Sequence, residues 1–78
     1  MNIAQAKENA LAALRSEIIM LTEQTKNSER LAFHNRAQGF LMGIASTGLL
    51  TSDEILALGH DIGVAHTQAS RQCQAATL

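Results

Sequence analysis

The chain has 78 residues, of which 46% are hydrophobic, and this predicts one small globular domain rather than a disordered segment. Six Lys and Arg stand against seven Asp and Glu, so the net charge is −1 and the chain lacks the basic surface that non-specific nucleic-acid binding usually needs. The single cysteine, Cys73, excludes a disulfide within the chain, and no Cys and His pair has zinc-finger spacing.

The candidate core is thin, because only two of the hydrophobic residues are aromatic and alanine is abundant. Small domains with a thin core are often stabilised by self-association when disulfides and metals are absent, so we expect a homodimer. The start of the chain, 1–8, lacks the apolar stretch of a signal peptide, and no apolar run is long enough to span a membrane. Together with the lone thiol, this favours a cytoplasmic protein.

The first predicted helix covers about residues 2–24. Its apolar residues recur at helical spacing and share one face: Ile3, Ala10, Leu11, Leu14, Ile18 and Leu21. A polar stretch follows over 22–30, where Asn27 or Ser28 is a candidate N-cap for a new helix. We therefore expect a break after the first helix, with one long continuous helix as the alternative.

The second predicted helix covers about 28–46, and its apolar stripe consists of Phe33, Ala37, Phe40, Leu41 and Ile44. Gly48 suits the left-handed position just after a helix end, where a side chain is penalised. Thr51 and Glu54 form a capping box that starts a third helix, with Leu50 and Ile55 as its hydrophobic staple. These signals predict an antiparallel αα-hairpin with a tight turn.

The third predicted helix covers about 51–72 and is followed by a tail, 73–78, that we expect to fray. Near-heptad spacing places one narrow apolar stripe along it: Ile55, Leu58, Ile62, Ala65, Ala69, Cys73 and Ala76. The chain thus reads as a single all-α domain over 1–78, a three-helix module.

Two pairs of glycines, four residues apart in each pair, interrupt the second and third helices. Because glycine inside a helix costs roughly 0.5–1 kcal/mol relative to alanine, a compensating role is expected. Close packing within one chain, with Gly39 near Gly59, is one interpretation. The other is a subunit or partner interface, with these candidates: Leu11, Leu14, Ile18, Leu21, Gly39, Gly43, Gly59 and Gly63.

Residues 63–71 resemble the turn and recognition helix of bacterial helix-turn-helix repressors, with Gly-Val opening the turn and Ser-Arg closing the helix. The resemblance implies exposed base-reading residues, namely His66, Thr67, Gln68, Arg71 and Gln72. The apolar stripe, however, runs unbroken from Ile55 to Cys73, which favours one straight amphipathic helix. Recognition of DNA is accordingly the alternative function.

Polar residues between the first two helices suggest a third possibility, an oligomer that sequesters a small anion or nucleotide. The candidate donors are Lys26, Arg30, His34 and Arg36. We expect His34 and Arg36 to lie in a polar patch separate from His60 and His66. These last two point about 120° apart on a helix and therefore do not suggest a shared metal ion.

No nucleophile, base and acid stand at a spacing that would assemble a catalytic constellation, so we expect no enzyme and no cofactor. The favoured function is a non-catalytic binding module, a small regulator or inhibitor that acts on a protein partner as a homo-oligomer. Its size and turn chemistry are similar in a general way to accessory proteins of phages and plasmids, although no single motif carries that similarity.

Overall fold

The computed structural model describes residues 2–77, and these form three helices with no strand among them. Helix α1 spans Ile3–Thr22, α2 spans Asn27–Ala45 and α3 spans Ser52–Ala76. Each helix packs against both others. The all-α prediction is confirmed, and the four residues 23–26 separate α1 from α2, so the two do not form one long helix.

The two ends of α1 are capped in different ways, the first by a neighbour in sequence and the second by a residue of another helix. At its start, the Asn2 side chain accepts a hydrogen bond from the backbone N–H of Gln5 at 2.8 Å. At its end, the Gln72 amide donates to the carbonyls of Thr22 and Gln24 at 2.8 and 3.0 Å. The last carbonyls of a helix have no partner within it. A side chain from α3 therefore satisfies the end of α1.

The prediction that Asn27 or Ser28 caps α2 is wrong. Lys26 occupies the N-cap position, and no side chain accepts a hydrogen bond from the first turn. Asn27 is already helical, and its side-chain oxygen accepts instead from Arg30 Nη2 at 3.4 Å. The start of α2 is consequently not fixed by a local cap.

The turn between α2 and α3, residues 46–51, follows its sequence signals closely. Gly48 has a φ of +76°, the left-handed conformation that glycine adopts without penalty. Thr51 accepts from the backbone N–H of Glu54 at 3.1 Å, and the Glu54 carboxylate accepts from that of Thr51 at 3.0 Å. The predicted capping box is present.

The apolar stripes of the three helices meet in one core. Its fully or nearly buried hydrophobic residues are Leu14, Leu21, Ala37, Leu41, Ile44, Leu50, Leu58, Ile62, Ala65, Ala69 and Cys73. Leu11 and Ile18 pack partly buried against it. The α1 stripe therefore covers the other two helices, and Leu14 and Leu21, which are fully buried in this chain, are not available to a second chain.

Helix α3 is longer than predicted and ends at Ala76 rather than at about residue 72. The apolar stripe explains the difference, because Cys73 is only 1% exposed and keeps the last turns of α3 against the rest of the molecule. Residues 73–76 of the expected tail are helical, and Leu78 lies outside the described residues.

Candidate functional site

A cluster of Arg30, His34 and His66 lies where the start of α2 meets the second half of α3. The imidazole rings of His34 and His66 stack with their centroids 3.9 Å apart and their planes 12° from parallel. The Arg30 Nη1 atom forms a short hydrogen bond with Nε2 of His66. A guanidinium only donates, so His66 must accept through an unprotonated Nε2. The geometry therefore requires a neutral His66 ring.

The electrostatics of the cluster also favour the neutral ring. Burial lowers the pKa of His66 below its ordinary value, and electrostatic repulsion from His34 and from Arg30 lowers it further. The Nε atom of Arg30 is buried and has no hydrogen-bond partner. The ion pairs within 2–77 lie elsewhere, joining Glu17 to Arg36 and Lys7 to Glu54. No carboxylate therefore compensates the cationic cluster.

The structure divides the predicted anion-binding residues into different places. It brings Arg30 and His34 together with His66, so the expectation that His34 lies apart from His66 is wrong. Arg36 instead bonds to Glu17 at 2.7 Å, with its guanidinium 4.9 Å from the centre of the Phe33 ring. Lys26 is exposed at the start of α2.

The helix-turn-helix interpretation of residues 55–72 is contradicted, since these residues form one uninterrupted stretch of α3. Gly63 makes no turn there, because Gly48 has the only positive φ among the described residues. Thr67, Gln68 and Arg71 are exposed as expected. His66 and Gln72 are only partly exposed and are bonded to α2 and to the end of α1, so they are not free base readers.

The glycine pairs do not bring α2 and α3 into close contact. A Cβ atom on Gly39, Gly43 or Gly63 would meet nothing within 4 Å, and one on Gly59 would meet only Leu41 Cδ2 at 4.0 Å. The expected approach of Gly39 to Gly59 is therefore wrong. Three of the four glycines instead leave helix backbone accessible at the surface.

An open, shallow depression of about 550 Å³ lies along the face of α3 that points away from the core. Its lining residues are His60, Gly63, Val64, Thr67, Gln68 and Arg71. Val64 is 55% exposed, and Leu56, which lies two turns earlier, is 72% exposed. This outer face of α3 combines aliphatic side chains, accessible backbone and polar groups.

Sequence reasoning missed two tertiary contacts, the His34–His66 stack and the Gln72 cap of α1. A signal for the stack was present. His34 precedes the buried Ala37 and Leu41 by three and seven residues, and His66 precedes the buried Ala69 and Cys73 by the same intervals. That spacing places both rings at the edge of their helices' buried stripes.

No protein-family model matches the chain, and no curated protein or solved structure is similar to it. None of the helices in 2–77 has the length and apolar character needed to cross a membrane. Within the same residues, no three His, Cys, Asp or Glu side chains are grouped as metal ligands would be.

Proposed function

We propose that the chain is a non-catalytic helical binding module that associates with itself and acts by occupying a surface of another protein. The observation that carries the proposal is the outer face of α3, where Leu56 and Val64 are 72% and 55% exposed with Gly63 open beside them. Single exposed aliphatic residues are ordinary on protein surfaces. Two on one helix face, about 12 Å apart along the axis, suit the packing of a second helix.

An antiparallel hairpin of α2 and α3 is part of the proposal. Arg30 near the start of α2 contacts His66 late in α3, and Leu41 later in α2 lies beside Gly59 earlier in α3. Such pairs run in opposite directions along the two helices. A hairpin closed by the 46–51 turn gives the outer face of α3 a rigid support, which lowers the entropic cost of binding.

The test is the molar mass in solution, measured by size exclusion with light scattering. We expect the parent chain to exceed the 8.4 kDa of one copy, and the Gly63→Leu and Leu56→Glu variants to fall to that mass. Gly63 is preferred to Gly59, because a Cβ at Gly63 would meet nothing within 4 Å, whereas one at Gly59 would already contact Leu41 Cδ2 at 4.0 Å within the same chain.

Met42→Glu is the matched control, because Met42 is 71% exposed, almost the same as Leu56, but lies on α2. It should leave the mass of the parent unchanged. A parent chain that stays at 8.4 kDa at every concentration contradicts self-association. Loss of the oligomer in all three variants would instead show a general sensitivity to surface charge and size.

A second candidate function is the binding of a small anion, favoured by the Arg30–His34–His66 cluster. Arg30 has no carboxylate partner among the described residues, and its Nε atom is buried without a hydrogen bond. The chain has no Trp or Tyr, so a bound nucleotide would appear as an absorbance band near 260 nm that travels with the protein. A blank spectrum, together with no heat on titration of nucleotides or phosphate, contradicts this candidate.

A further inference from the structure

We propose that the Arg30–His34–His66 cluster makes the contact between the start of α2 and the second half of α3 sensitive to acid. Uptake of a proton by the cluster below neutral pH opens this end of the molecule. The proposal does not depend on the proposed self-association, because it rests on contacts within one chain.

The geometry gives the first reason. His66 Nε2 accepts a hydrogen bond from Arg30, and protonation of that nitrogen removes the acceptor and turns the contact into a repulsion between two donors. The stacked ring of His34, 3.9 Å away, adds a third group that is positive when protonated. The cluster therefore holds together only while the His66 ring is neutral.

The surrounding charges give the second reason. From α2, the groups that face His66 are Arg30 and His34, and both oppose its protonation. On α1, Glu17 is bonded to Arg36, and Glu23 is exposed at the end of the helix. On α3 itself, the carboxylate closest in sequence, Asp61, is exposed. Nothing acidic is thus in place to stabilise an imidazolium.

The sign of the pH dependence follows from linkage. Burial, together with electrostatic repulsion from His34 and Arg30, lowers the pKa of His66 in the folded state below the ordinary 6.5. The unfolded chain consequently binds this proton more readily than the folded chain. The free energy of unfolding therefore rises with pH between the folded-state pKa and 6.5. Stability is lost as pH falls through 6.5, and the loss ends once pH is below the folded-state pKa.

The opening should reach the 23–26 loop. Gln72, six residues after His66 on α3, donates to the carbonyls of Thr22 and Gln24 on either side of the end of α1. The same stretch of α3 therefore holds both the start of α2 and the end of α1. When His66 is protonated, amide protection should fall in 23–34 before it falls in the 46–51 turn.

The experiment compares parent, His66→Gln and His60→Gln by urea unfolding at pH 7.5 and 5.5, at one ionic strength and protein concentration. Glutamine keeps an acceptor for Arg30 but does not titrate. His60 is the control, since its side chain is exposed on the same helix and makes no hydrogen bond or ring contact with any residue of 2–77. Because His60 lines the outer face of α3, all three proteins are compared at a concentration at which they are monomeric. Parent and His60→Gln should lose stability at pH 5.5, and His66→Gln should retain most of it.

Two results would overturn the proposal. One is an equal loss in all three proteins. The other comes from NMR titration of the histidines in the parent, a measurement that does not require His66→Gln to fold. A His66 pKa at or above 6.5 is incompatible with a cluster that opposes protonation. The supporting result is a His66 ring that titrates below that value, in step with faster amide exchange over 23–34.

Discussion

The two ends of the molecule are built on different principles. The 46–51 end contains Gly48, the capping box and an ion pair in which Glu54 neutralises the charge of Lys7. At the 23–26 end, α2 starts without a side-chain cap, Gln72 closes α1 from a distance, and the Arg30–His34–His66 cluster has no carboxylate. One end is organised mostly by neighbours in sequence, and the other by contacts across the fold.

The end of the molecule that depends on contacts across the fold is the less resistant one. Local caps form together with their helices and need little else to be in place. The contacts at the 23–26 end form only when α3 lies against both other helices, so any loosening of the core removes them together. The 23–26 end should therefore open first under acid or denaturant.

The largest expected effect comes from breaking the 23–26 end through its core. Leu21, in the last turn of α1, is fully buried, so Leu21→Ala removes buried methyl groups and leaves a cavity. Such substitutions cost about 2–5 kcal/mol, a large fraction of the stability of a small domain. Ile19→Ala is the control, because Ile19 is 58% exposed and should change stability by less than about 0.5 kcal/mol. Urea unfolding measures both, and similar losses would contradict the described core.

The next effect compares the two kinds of cap. Thr51→Ala removes the local N-cap of α3 and should cost about 1 kcal/mol. Gln72→Ala removes two hydrogen bonds that close α1 from a distance, and about 0.5–1.5 kcal/mol is expected for each such bond in a folded protein. The variants should differ in where amide exchange accelerates, near 51–55 for the first and near 19–26 for the second.

Controls for this pair lie beside each residue. Ser52→Ala and Gln74→Ala change exposed neighbours of the same chemical type, and neither should alter stability measurably. If Gln72→Ala accelerates exchange only near its own position on α3, the distant cap does not hold the end of α1, and the contrast between the two ends fails.

The same contrast explains how much of the structure could be predicted from sequence. The 46–51 turn was predictable in detail, because Gly48 and the Thr51–Glu54 box act within a few residues of one another. The three helices followed from the spacing of apolar residues. The cap of α2 was predicted wrongly, because Asn27 has a capping side chain but lies inside the helix.

The candidate site was less accessible to sequence reasoning. Arg30 and His34 were recognised as possible anion donors. The spacing of His34 and His66 places each ring beside a buried stripe, but it does not show that the two rings, more than thirty residues apart in sequence, stack on each other. Helical spacing gives the face on which a residue lies and not the register in which two helices meet. For the same reason the expected approach of Gly39 to Gly59 was wrong: it assumed a register in which glycines face each other, whereas Leu41 lies beside Gly59.

The ion pair between Lys7 and Glu54 should make a small, pH-dependent contribution to the stability of the 46–51 end. Hydrogen bonds from Lys7 and from the Thr51 backbone hold the pKa of Glu54 at about 2, below its ordinary 4.5. The carboxylate therefore contributes stability above pH 4.5, and this contribution is lost as pH falls from 4.5 towards 2. The 46–51 end should thus yield to acid in a lower pH window than the 23–26 end.

Lys7→Met tests this window, because Lys7 makes the largest contribution to the lowered pKa of Glu54. The variant should be slightly less stable than the parent at pH 6. The difference should shrink as pH falls below 4.5 and as salt is added, since the pair is partly exposed to solvent. Lys26→Met, an exposed lysine at the other end, should leave the pH dependence unchanged. A gap between parent and Lys7→Met that stays constant from pH 6 to pH 2 would mean that Lys7 contributes by packing its aliphatic stem and not through the charge of Glu54.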